Sequence, residues 1–124
     1  MTPPLPSALP PSAPPRRRLA NRRLYQTEEI EAAGGLRITA TVGFDEAGWP
    51  PELFLSGGTD GAGAKAGSAL SAILEDACVV ISVALQYGVP ASALAHSVSP
   101  GAVSPIGAAL DLLRRLEAGE LTIN

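Results

Sequence analysis

The sequence predicts an α+β fold in which a small antiparallel sheet of two or three strands packs on one long central helix, with two further helices toward the C-terminus. Three observations predict this fold. Residues 68–88 have a helical pattern, residues 36–44 and 51–56 alternate between apolar and polar side chains, and Ser104-Pro105 is a helix start signal. A chain of 124 residues is long enough for one hydrophobic core.

The long helix is expected to be buried over most of its circumference, with Leu74 and Val80 in the core. Its polar residues recur at helical steps and form one narrow stripe, while nearly every other position is apolar. The stripe consists of Ser68, Ser71, Glu75, Ser82 and Gln86. We assign Gln86 a structural role, and Gly88 is expected to end the helix in the left-handed conformation.

The strands are expected to form an antiparallel hairpin. Residues 36–44 alternate as a half-buried strand does, residues 45–48 form a turn, and residues 51–56 form the second strand. Residues 27–33 are a weaker candidate for a third strand. Because a hairpin alone is marginally stable, its apolar face must lie on the long helix.

The C-terminal helices are predicted from their caps. Residues 90–97 form a short helix that Pro90 begins, and Ser104 caps a last helix whose first residue is Pro105. Gly119 ends that helix. Its apolar face is formed by Ile106, Ala109, Leu110, Leu113 and Leu116.

Composition divides the chain into a tail of residues 1–21, a single domain of residues 22–119 and a short C-terminal tail of residues 120–124. Seven of the twelve prolines lie in the first 15 residues, so we expect a disordered Pro/Arg-rich tail. The chain lacks an apolar segment typical of a signal peptide, and it has one cysteine, which together suggest a cytoplasmic protein. Glu75 and Asp76 interrupt the most apolar run, which leaves about ten apolar residues against the roughly 20 of a membrane span, so we expect no membrane association.

Charge is unevenly distributed along the chain. Five arginines precede the first acidic residue, and the rest of the chain has four Lys or Arg against twelve Asp or Glu, a net charge of −8. The basic cluster either contacts phosphate or is a solvated boundary arm, and the second interpretation is simpler. No aromatic residues are interleaved with it, so we do not expect nucleic-acid binding. The five are Arg16, Arg17, Arg18, Arg22 and Arg23.

A small-ligand site is a further hypothesis. Residues 57–67 are rich in glycine and precede a helix, and helix N-termini attract phosphate. The spacing around Lys65 does not match a phosphate-binding P-loop, and Ser68 is more simply a helix cap. The candidate ligand-binding residues are Lys65, Gly67, Ser68, Arg22 and Arg23.

No catalytic or metal-binding set emerges from the sequence. Cys78 lies in an apolar stretch, where burial makes a thiol inert, so we expect it to have a packing role. His96 is the single histidine, and we expect it on the surface of the short helix. Asp76 lies off the polar stripe, so we expect a partly buried carboxylate with a structural ion pair to Arg37 or to the basic cluster, or a capping role.

Several segments together resemble one known domain. They are Gly35-Leu-Arg-Ile-Thr-Ala-Thr-Val-Gly-Phe, Pro51-Glu-Leu-Phe-Leu, Ile81-Ser-Val-Ala-Leu-Gln-Tyr-Gly-Val-Pro and Ser104-Pro-Ile-Gly. Across about residues 22–116 the chain resembles the TSCPD domain, the C-terminal domain of vitamin B12-dependent class II ribonucleotide reductases. Those enzymes reduce ribonucleotides with adenosylcobalamin, and their radical chemistry uses several cysteines in a large barrel.

The resemblance transfers no catalytic residue to this chain. The chain offers Cys78 alone, and the Thr-Ser-Cys-Pro-Asp motif that gives the domain its name is missing. The resemblance therefore implies a free-standing, non-catalytic accessory or regulatory module that docks on a ribonucleotide reductase or another protein, and that binds no adenosylcobalamin by itself. The alternative is a nucleotide-binding or other small-ligand protein that uses the glycine-rich loop and the arginines.

Overall fold

The computed structural model describes residues 15, 16, 18, 19, 23–32, 35–57 and 68–120. Within these residues the chain forms three strands and then three helices, which confirms the α+β class, the long helix and the two C-terminal helices. Most of the two predicted tails lies outside the described residues, so the domain limits stay a prediction. The elements are β1 (Leu24–Ala32), β2 (Leu36–Phe44), β3 (Glu52–Gly57), α1 (Ala69–Gln86), α2 (Ala91–Ser97) and α3 (Pro105–Glu117).

The sheet has β2 at its centre, and both neighbours are antiparallel to it. Thr41 of β2 pairs with Thr27 of β1 on one side and with Phe54 of β3 on the other. The predicted hairpin and its third strand are therefore confirmed, although β1 begins at Leu24, three residues earlier than expected.

The turn between β2 and β3 is stabilised by one carboxylate. Asp45 Oδ1 accepts hydrogen bonds from the backbone N–H groups of Ala47 and Trp49, each at 2.9 Å. Gly48 has a φ of 82°, in the left-handed region that favours glycine. The Asp45–Gly48 turn predicted from the sequence is confirmed.

The hydrophobic core lies between one face of the sheet and the helices. Strand alternation directs every second side chain of β2 and β3 to this face, and burying one large aliphatic side chain contributes about 1.5–3 kcal/mol relative to exposing it. Its members are Ile38, Ala40, Val42, Phe44, Leu53, Leu55, Leu74, Cys78, Ile81, Leu85, Ala91, Ala109, Leu110, Leu112 and Leu113.

The orientation of α1 differs from the expectation. Its buried residues are Leu74, Cys78, Ile81, Leu85 and Gln86, whereas Val80 is 70% exposed. In the described part of the chain β3 is the one element that α1 contacts extensively. A helix that packs on a single layer buries one stripe, so the prediction that most of its circumference is buried was wrong.

The two C-terminal helices pack against each other, and a side chain of α3 caps the N-terminus of α2. Ser104 Oγ accepts a hydrogen bond from the N–H of Gly107 at 3.1 Å, as expected for the start of α3. Pro90 precedes α2 and has no side-chain oxygen to cap it. Glu117, at the end of α3, accepts a hydrogen bond from the N–H of Ala91 at 2.6 Å and caps α2 instead.

Candidate functional site

The residues predicted to bind a ligand have structural partners where they are described. Lys65, Gly67 and Arg22 lie outside the described residues. Ser68 is the N-cap of α1, and its Oγ accepts a hydrogen bond from the N–H of Ser71 at 3.1 Å.

Arg23, the other described member of that set, forms a two-point ion pair with Glu52. Arg23 Nε lies 2.8 Å from Glu52 Oε2, and Arg23 Nη2 lies 3.0 Å from Oε1. The hydroxyl of Tyr25 donates to Glu52 Oε2 at 3.2 Å, and the Arg23 guanidinium lies 5.8 Å from the centre of the Tyr25 ring. The hydrogen bond with Glu52 raises the pKa of Arg23. The guanidinium of Arg23 is therefore held by a carboxylate in a charge-assisted, two-point contact.

A glycine makes room for this ion pair. Gly43 is the cross-strand partner of both Tyr25 and Glu52. A Cβ at Gly43 would lie 2.5 Å from Glu52 Oε2 and 3.0 Å from Tyr25 Cε1. A glycine within a strand often marks such a close approach, and this was the one sequence signal that could have located the cluster.

Asp76 is exposed, so the prediction of a partly buried carboxylate was wrong. It makes no hydrogen bond or ion pair with any described residue. The error follows from the orientation of α1, because the side of the helix that carries Asp76 faces away from β3.

The C-terminal part of the polar stripe of α1, Ser82 and Gln86, meets the edge of β3 instead of solvent. Ser82 Oγ accepts from the backbone N–H of Leu53 at 3.0 Å and donates to the Leu53 carbonyl at 3.2 Å. Gln86 Nε2 donates to the carbonyl of Pro51 at 3.3 Å, and Gln86 Oε1 accepts from Arg16 Nε at 2.6 Å. These side chains replace the fourth strand that would otherwise satisfy this edge.

Cys78 continues the same row one turn earlier along α1. Its side chain is buried, as expected, and burial raises the pKa of its thiol to about 11, although a backbone hydrogen bond from Leu55 lowers it in part. Cys78, Ser82 and Gln86 thus follow the edge of β3 in the opposite direction to the strand. The spacings agree, since four helical residues advance about 6 Å and two strand residues about 6.8 Å.

Gly88 stands where α1 ends. Its φ is 91°, and its N–H donates to the carbonyl of Leu85 at 3.0 Å. The left-handed stop predicted at this glycine is confirmed in its geometry.

An open groove of about 850 Å³ lies between β1, α2 and α3, and the sequence did not predict it. The exposed side chain of His96 lines it, together with Glu28, Asp111 and Arg114. Arg114 Nη2 lies 2.9 Å from Asp111 Oδ1, and Glu28 accepts a hydrogen bond from Gln26 at 2.8 Å. The charged side chains of Arg114, Asp111 and Glu28 in this groove therefore already have partners within the protein. Across the described residues no three His, Cys, Asp or Glu side chains lie together as metal ligands would.

The side of α1 opposite the sheet is an exposed apolar surface. We call it the outward face, and it consists of Ile73, Asp76, Val79 and Val80. Among the described helices, α1 alone is long and apolar enough to cross a membrane, and 28% of it is buried. One such helix is weak evidence for a membrane protein, because the core helix of a soluble protein meets the same criterion.

Comparison with known proteins identifies one family. A family model described as the TSCPD domain matches residues 12–106, which is more than half of the chain. No curated protein and no solved structure matches the chain significantly. The matched residues include all of the sheet, α1 and α2.

Proposed function

Because the chain belongs to the TSCPD domain family, we propose that it is a non-catalytic accessory or regulatory module of ribonucleotide reduction. In this role it binds a ribonucleotide reductase and alters the activity of that enzyme without carrying a reaction itself. The cytoplasm, where deoxyribonucleotides are made, is the proposed location.

The observation that carries this proposal is the position of Cys78. The reductases that contain this domain use several cysteines, whereas this chain has one. Cys78 is 2% exposed, and a thiol with a pKa of about 11 is almost entirely protonated at neutral pH. Since the thiolate is the reactive form, burial at the edge of β3 supports a structural cysteine rather than a redox-active one.

The alternative, nucleotide binding through the arginines and the glycine-rich loop, gains no support from the described residues. Arg23 is paired with Glu52, and Ser68 caps α1. A melting series with nucleoside diphosphates and triphosphates distinguishes the two functions, because a bound nucleotide raises Tm and an accessory module without a nucleotide site keeps the same Tm.

The experiment that tests the proposal measures deoxyribonucleotide formation. The purified chain is assayed with adenosylcobalamin and a dithiol, first alone and then beside a class II reductase. We expect no product from the chain alone and a changed rate when the reductase is present. Cys78→Ala is the matched variant, and it should change the reductase rate as the wild type does. Product from the isolated wild type that disappears in Cys78→Ala would overturn the proposal.

A further inference from the structure

The outward face of α1 concentrates large aliphatic side chains in solvent. Ile73, Val79 and Val80 are between 63% and 70% exposed, and they lie within about 10 Å along one helix. Single exposed aliphatic residues are common on protein surfaces, but a contiguous group on one face marks an interaction site.

The fold does not need these side chains. The core contacts of α1 are made by Leu74, Cys78, Ile81 and Leu85. Helix stability does not need them either, because β-branched residues such as Ile and Val are poorer helix formers than Ala, Glu or Lys. The aliphatic residues of the outward face therefore serve neither the core nor the helix.

A single carboxylate lies at the centre of this surface. Asp76 is three residues from Ile73 and from Val79 and four from Val80, which are the spacings of neighbours on a helix surface. It forms no ion pair with a described residue, and α1 contains no Lys or Arg. Whatever covers the outward face must also accommodate the Asp76 charge.

The charge of Asp76 discriminates between occupants. A second copy related by a two-fold axis would place both Asp76 side chains in one apolar interface with no cation from α1, and uncompensated buried charge is strongly unfavourable. A lipid surface is a poor match as well, since interfacial helices carry Lys or Arg beside their apolar face and α1 has none.

We infer that the outward face docks an amphipathic helix of another protein, with a Lys or Arg of that helix opposite Asp76. Aliphatic residues of the partner cover Ile73, Val79 and Val80, as in other complexes where an amphipathic helix lies on an apolar surface. This inference rests on the proposed accessory function and names the kind of partner surface that such a module recognises.

Two synthetic helical peptides test the charge match. They share one leucine and alanine stripe and differ only at the central position, which is Lys in one and Glu in the other. Binding to the full chain is followed by fluorescence anisotropy. The wild type should prefer the Lys peptide at least tenfold, and Asp76→Lys should reverse that preference. Val80→Glu should weaken binding of both peptides, whereas Ser92→Glu, at an exposed position of α2, is the control and should change neither.

Other results would overturn the inference. One is that the wild type and Asp76→Lys each bind the two peptides equally. Another is a dimer in sedimentation that Val80→Glu dissociates, which would make a second copy the occupant. A third is binding to anionic phosphatidylserine vesicles that Val80→Glu abolishes, which would make a lipid surface the occupant. If the chain changes the rate of a reductase and both Val80→Glu and Asp76→Lys keep that effect, the inference about the outward face is overturned. The proposed accessory function would still stand. A reversed peptide preference with no effect on a reductase would support this surface and discard the reductase as its partner.

Discussion

The hydroxyl of Ser82 satisfies both backbone polar groups of Leu53, with its oxygen 3.0 Å from the Leu53 nitrogen and 3.2 Å from the Leu53 carbonyl oxygen. One serine on a helix thus replaces the pairing that a neighbouring strand would provide. This contact explains why the polar side chain of Ser82 faces the sheet and why aliphatic side chains on the other side of α1 are left outside.

We expect Ser82→Ala to lower the free energy of unfolding by about 1–3 kcal/mol, the cost of leaving buried backbone groups without partners. Chemical denaturation monitored by circular dichroism measures the change. The matched control is Ser92→Ala on the exposed side of α2, which should stay within about 0.5 kcal/mol of the wild type. Equal stability of the two variants would show that water can form the hydrogen bonds of the Leu53 N–H and carbonyl in place of Ser82.

The Cys78 thiol should resist alkylation in the native protein. Its pKa of about 11 keeps the reactive thiolate scarce at pH 8, and its burial blocks access. Iodoacetamide labelling followed by intact mass spectrometry should show little modification under native conditions and complete modification in denaturant. Native labelling as fast as that of the denatured chain would contradict the burial.

The carboxylate of Glu117 should make stability depend on pH. Burial raises its pKa in the folded protein, although backbone hydrogen bonds from Ala91 and Ser92 lower it in part. A raised pKa means that the folded state binds a proton more tightly than the unfolded state, so this group lowers the stability as the pH rises from the unfolded pKa to the folded one. Glu117→Gln should remove that part of the dependence, as measured by melting between pH 4 and pH 8. A wild-type profile that Glu117→Gln leaves unchanged would contradict the assignment.

Arg23→Ala should destabilise the sheet because it leaves the Glu52 carboxylate nearly buried without its cation. The pair is partly exposed on the Arg23 side, so we expect a clear loss of stability that is smaller than the loss on breaking a fully buried pair. Arg23→Lys should recover only part of it, since lysine cannot form the two-point contact. Urea denaturation measures both variants, and a wild-type stability of Arg23→Ala would be evidence against a structural ion pair.

The strands and the helix caps were predictable because their signals are local. Alternation in residues 36–44, the turn at Asp45 and the cap at Ser104 each depend on neighbouring residues, and the structure confirms them. The helix ends at Gly88 and Gly119 were predictable from the same kind of local signal. Both glycines have a positive φ, which glycine adopts readily.

The orientation of α1 was not predictable from the helix alone. Polar side chains usually face water, but here two of them bond backbone groups at a strand edge that is distant in the sequence. Ser82 has its partner on β3 and Gln86 on the residue before that strand, about 30 residues earlier in the sequence. The error moved Val80 into the predicted core and Asp76 into a predicted ion pair. The pairing of Arg23 with Glu52 is equally non-local, and Gly43 alone gave a hint of it.

The orientation of α1 is the central claim, and two matched substitutions on this helix test it most directly. Leu74 is 3% exposed and Val80 is 70% exposed, so one carboxylate introduced at each position samples the inward and the outward side. Thermal melting of Leu74→Asp and Val80→Asp, followed by circular dichroism, is the measurement. We predict that Leu74→Asp unfolds the protein, because an unpaired buried charge costs several kcal/mol against a total stability of about 5–15 kcal/mol, and that Val80→Asp melts within a few degrees of the wild type. Loss of the folded state in Val80→Asp, or a wild-type melt in Leu74→Asp, would contradict the orientation of the helix and with it the outward face.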